Sequence, residues 1–145
     1  MERIDHIADL CLEAVQLKLD CREVLQSFRF KELCVIYNGC GPDWLPESAR
    51  EILTQFAAMF EPVILIHDVQ FFESDGTLKG FIKTVRTFRR NCRKVIAAKY
   101  PLLTWRIFKP SYFKARLKAR GVATTLYAAI SSVVAYKTWQ AEAKR

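Results

Sequence analysis

The sequence predicts a mostly α-helical fold: one small helical domain spanning residues 1–145. Three observations predict it. Apolar residues recur every three or four positions over 4–27 and again over 78–100. Prolines punctuate the chain where helices begin or stop, at Pro46, Pro62, Pro101 and Pro110. Glycine and proline gather in one stretch, 38–46, which marks the main loop. A chain of 145 residues, 51% of them hydrophobic, can bury a real core and is not disordered.

The elements follow in order. Over 4–27, Ile4, Ile7, Ala8, Cys11, Ala14, Val15 and Leu25 share the helical spacing, with a break expected near Asp20-Cys21. Residues 28–36 are rich in aromatic and branched side chains and fit either a strand or a further helical turn. After the loop, Pro46 opens a helix to about Phe60. Pro62 opens another, carrying Val63-Ile64-Leu65-Ile66-His67-Asp68 to about Phe72. Residues 73–77 form a turn by composition. The clearest helix runs over 78–100, with Phe81, Val85, Phe88, Cys92 and Val95 on one face. Lys83, Arg86, Arg89, Arg90, Arg93 and Lys94 lie on the other. Pro101 ends it, an aromatic linker fills 102–109, and a final basic helix is expected over 111–143. Its segment 121–136 is almost uncharged, but 16 residues that include Thr124, Thr125, Ser131 and Ser132 are short for a membrane span and read as a buried core helix.

Charge is divided along the chain. Residues 1–75 carry 14 acids and 6 bases, a net of −8, whereas residues 76–145 carry 17 bases and one acid, Glu142, a net of +16. The bases interleave with helical apolar positions, so the basic surface belongs to the fold. It either pairs with the acidic half or faces a polyanion. Five cysteines, odd in number and without zinc-type spacing, read as reduced, mostly buried thiols of a cytoplasmic protein. The opening Met1-Glu2-Arg3-Ile4-Asp5 does not look like a signal peptide.

Two short motifs carry the chemistry. Tyr37-Asn38-Gly39-Cys40-Gly41 places two glycines in a polar loop, where backbone carbonyls can turn toward a cation. His67-Asp68 sets an imidazole beside a carboxylate at the end of an apolar run. Calcium takes roughly six to eight oxygens, which a glycine-bearing loop and one carboxylate begin to supply. Neighbouring helical residues point about 100° apart, so Asp68 can reach an ion while His67 addresses a water beside it. The other histidine, His6, reads as a surface residue.

Tyr37-x-Gly39-x-Gly41 followed by His67-Asp68 on a helix resembles the calcium loop and catalytic helix of phospholipase A2. It is nearest to the compact, cysteine-poor versions in viral capsid proteins and small phage-encoded proteins. The resemblance implies a phospholipase A2-like core with an antiparallel helix pair after the loop, the helix over 78–100 facing the catalytic one. It implies calcium held by the carbonyls of Tyr37, Gly39 and Gly41 with Asp68, His67 as general base, and the Gly39 amide supporting the oxyanion. It also implies phospholipid ester hydrolysis at an anionic membrane surface, met by Lys83, Arg86, Arg89, Arg90, Arg93 and Lys94, in a phage or prophage protein. The family's orienting acid on the facing helix has no counterpart, since no Asp follows Asp75. The aromatic four residues after the His is Phe71, which has no hydroxyl. Asn91, Thr84 or a backbone carbonyl is left to orient His67. The alternative function is a non-catalytic binding protein whose basic face holds nucleic acid or an acidic protein, with Trp105, Phe108 and Tyr112 as stacking groups.

Overall fold

The computed structural model describes residues 2–37 and 57–144, and every regular element among them is helical. The expected loop over 38–46 and most of the helix from Pro46 to about Phe60 lie outside the described residues. Helix α1 (Glu2–Gln16) turns Ile7, Leu10 and Ala14 inward at the spacing the sequence shows. It ends a little ahead of Asp20-Cys21, because Lys18 and Cys21 take positive φ angles of 51° and 60°. That backbone costs a residue with a side chain roughly 1–2 kcal/mol. Hydrogen bonds from Asn91 offset the cost: its Oδ1 accepts from the Asp20 N–H at 2.7 Å, and its Nδ2 donates to the Asp20 carbonyl at 3.0 Å. A 3₁₀ turn (Arg22–Ser27) then buries Leu25. The ambiguous stretch resolves as helix α2 (Phe30–Ile36), whose start is closed by the Arg29 N–H donating to Glu32 Oε2 at 2.7 Å.

After a short 3₁₀ segment (Ala58–Phe60) comes α3 (Glu61–Phe72), with Pro62 in its first turn as expected. The turn over 73–77 leads into α4 (Leu78–Lys99). Asp75 Oδ1 accepts from both the N–H and the hydroxyl of Thr77 at 2.9 Å, and Thr77 Oγ1 accepts from the Gly80 N–H at 2.9 Å. Gly76 is required here: its φ is +66°, and a Cβ would come within 3.0 Å of Ala143 Cβ. Helices α3 and α4 pack against each other across this turn as a helical hairpin.

The chain beyond Pro101 departs from expectation twice. The single final helix is two, α5 (Pro110–Ile130) and α6 (Val133–Glu142), parted at Ser131-Ser132. The Ser132 hydroxyl accepts from the Ala135 N–H at 3.2 Å and so caps a new helix; serine pairs favour such side-chain-to-backbone bonds over an uninterrupted helix. Nor is 121–136 a buried core helix. In α5 the one buried residue is Ala119, and Val133 and Val134 are exposed. The C-terminal end docks through Trp139 instead, whose Nε1–H donates to the Thr77 carbonyl at 3.0 Å while its own carbonyl accepts from Ser74 Oγ at 2.5 Å.

The main core gathers around α3, which touches α1, α2, the first 3₁₀ turn, the short 3₁₀ segment before it, α4 and α6. A smaller cluster of Phe81, Val85 and Trp139 seals the far end of the hairpin. Among the described residues, no helix is long and apolar enough to cross a membrane.

Candidate functional site

The position of His67 follows from the surroundings of α3. Its first two turns, from Glu61 to Ile66, are buried all round, so the helix has no solvent face until His67-Asp68. Even the charged residue among them is matched: Glu61 Oε2 lies 2.7 Å from Nε2 of His6, which is on the surface as expected and half exposed. Burial relaxes at the next two positions, where the side chains of His67 and Asp68 are 11% and 19% exposed.

His67 Nδ1 and Asp68 Oδ1 are 3.2 Å apart. The imidazole is tilted against Phe71, with ring centres 4.4 Å apart, and meets Phe88 of α4 edge-on at 5.4 Å. Nε2 is buried without a hydrogen-bond partner among the described residues. With the ring proton on Nδ1, the imidazole donates to Asp68 and Nε2 is left as an acceptor. The position across from His67 on α4 is held by a phenyl ring. Asn91, a candidate to orient the imidazole, has both ends of its amide committed to Asp20. Thr84 is buried on α4 and makes no hydrogen bond to His67 among the described residues.

Of the four expected calcium donors, Gly39 and Gly41 lie outside the described residues, as does the Gly39 amide. Tyr37 is buried at the end of α2, and its carbonyl accepts from the Arg3 guanidinium at 2.8 Å. A cation at that oxygen has to displace Arg3 or share the carbonyl with it. The carboxylate of Asp68 suits a hard cation, but the described residues supply too few oxygens to fit calcium by themselves, and no group of three or more His, Cys, Asp or Glu among them is arranged to hold a metal.

The basic face of α4 divides in two. Lys83, Arg86 and Arg93 are exposed. Arg90 and Lys94, still partly exposed, pair with Asp20 at 2.7 and 2.5 Å from its carboxylate oxygens, and Arg89, also exposed, lies 5.3 Å from the centre of the Tyr127 ring. Hydrogen bonds from Lys94 and then Arg90 hold the Asp20 carboxyl below the usual carboxylate range. Part of the basic half is therefore folded against the acidic half. Cys11, Cys21, Cys34 and Cys92 are free thiols, and burial pushes Cys92 up to about 12. The aromatic linker 102–109 and the start of α5 are largely exposed, including Trp105 and Phe108, two of the three stacking groups of the alternative reading. No family model, curated protein or solved structure matches the chain.

Proposed function

We propose that this protein acts at an anionic phospholipid surface as a phospholipase A2-like protein of the phage type, with ester hydrolysis centred on His67. The observation that supports the reading is the His67–Asp68 pair, 3.2 Å apart, on a helix that packs against its successor and against α2, which Tyr37 follows. In this reading His67 accepts the proton of the attacking water, which requires water to reach the ring between Phe71 and Phe88. Tyr37, Gly39, Gly41 and Asp68 would hold calcium, with Arg3 leaving the Tyr37 carbonyl. The ion would supply charge stabilisation for the ester oxygen. Incubation with phosphatidylglycerol vesicles tests this. Release of fatty acid that depends on added calcium, and falls about 10²-fold or more in His67→Ala and Asp68→Ala, is the expected result. Vesicles left intact by the wild-type protein at every calcium level sink it.

One observation favours a second reading, a non-catalytic binding protein on the same scaffold. The imidazole is packed like a core residue against the Phe71 and Phe88 rings, with Nε2 buried and without a hydrogen-bond partner among the described residues. A His67→Leu variant that keeps its stability within about 1 kcal/mol, together with retention of DNA or RNA that weakens steeply with salt, supports that reading and an acidic partner for the basic surface.

A further inference from the structure

We propose that residues 102–120 form the surface that docks on an anionic phospholipid bilayer, with Leu102, Leu103, Trp105 and Phe108 entering the interface. The proposal rests on the lipid-surface half of the reading above and on none of its chemistry. Leu103 is fully exposed and Phe108 is 82% exposed, with Trp105 and Leu102 also well exposed. Single bare apolar residues are ordinary on protein surfaces, but four within seven consecutive positions make a patch.

The patch is held outward by a braced base. Tyr112 stacks edge-on against Tyr100 at 5.6 Å, and its hydroxyl donates to the Pro101 carbonyl at 2.8 Å. The Arg116 guanidinium donates to the Tyr100 carbonyl. Between these anchors the 3₁₀ turn Trp105–Phe108 is started by Thr104, whose hydroxyl faces the Arg106 N–H at 3.4 Å. The leucines and aromatics thus stand on a folded turn.

Charge decides what covers the patch. Six cations and no acid lie in 102–120, and no acid occurs anywhere between Asp75 and Glu142. Arg106, Lys109, Lys114 and Lys118 are exposed, and the Lys109 ammonium sits over the Trp105 ring, 4.5 Å from its centre. Tryptophan and leucine beside lysine and arginine is the composition of a segment lying in a bilayer interface. Phosphate headgroups complement the cations while acyl chains receive the apolar tip. A nucleic acid matches the cations but gives Leu102 and Leu103 nothing to stack on. A protein interface of this kind is usually depleted in lysine.

The test is co-sedimentation of the full chain with vesicles of phosphatidylcholine and phosphatidylglycerol, against phosphatidylcholine alone, with a calcium chelator throughout. The expected result is binding to the anionic vesicles that weakens with salt and drops about tenfold or more in Leu103→Ser/Phe108→Ser. Both residues are exposed, so helical circular dichroism should be unchanged. A second variant, Lys109→Glu/Lys114→Glu, should lose anionic binding as well. Wild-type protein that stays in the supernatant, or a serine variant that binds as well as wild type, overturns the proposal. So does a wild-type dimer that the serine variant converts to monomer, since a second copy then covers the patch. Vesicle binding here, with no fatty-acid release in a parallel assay at saturating calcium, upholds the docking surface and removes hydrolysis; calcium-dependent release from dispersed short-chain lipid without vesicle binding does the reverse.

Discussion

Helices α3 and α5 are both rich in apolar residues, yet they meet opposite fates. Seven of the twelve residues of α3 are buried, including a glutamate, whereas among the 21 of α5 Ala119 alone is. Composition says how much apolar surface a helix carries, not how many neighbours will cover it. Six elements touch α3, while α5 lies mainly along α4 and the 3₁₀ turn before it. The difference in charge runs the same way: α5 opens with lysines and arginines among its apolar residues, which gives its half-covered surface a positive sign.

Four substitutions sharpen that contrast. Leu65→Ala, at a fully buried position of α3, should cost about 2–5 kcal/mol in urea unfolding. Asn91→Ala should cost about 2–3 kcal/mol, because it leaves the Asp20 N–H and carbonyl without the partners that hold the left-handed turn. Asp20→Asn should cost about 1 kcal/mol or less near neutral pH, since the ion pairs with Arg90 and Lys94 are partly exposed. The sign of its pH dependence is fixed. The folded carboxyl is held below its ordinary value of 3.8, so its contribution is fully present above that pH and fades as pH falls through the lower folded value. Thermal melts of wild type should fall more steeply below about pH 4 than those of Asp20→Asn. Leu103→Ser should change stability by no more than about 0.5 kcal/mol. A large loss there would mean that 102–120 is core, and the contrast with α3 would collapse.

Much of the fold was legible because its signals are local. The periodicity of α1 and α4, Pro62, and the turn at Gly76 each act within a few residues, and each appears where it was expected. The missed break at Ser131-Ser132 was also local, but a uniform apolar composition masked it. The fate of 121–136 was not legible, since burial depends on which helices arrive alongside. The site divides the same way. The adjacency of His67 and Asp68 is written in the chain. Phe71 beside the imidazole is equally local, one helical turn on, whereas the Phe88 ring against it, the diversion of Asn91 to Asp20, and Arg3 on the Tyr37 carbonyl are products of tertiary packing.

The Asn91 clamp also bears on the order in which the molecule assembles. Its two hydrogen bonds span 71 positions of chain, so the turn after α1 cannot be fixed until α4 has formed, although it leaves the ribosome first. The helical hairpin of α3 and α4 closes a far shorter loop and can nucleate by itself. The expected order is the α3–α4 pairing first and the turn after α1 later, in which case Asn91→Ala should speed unfolding more than it slows folding, as a chevron plot would read.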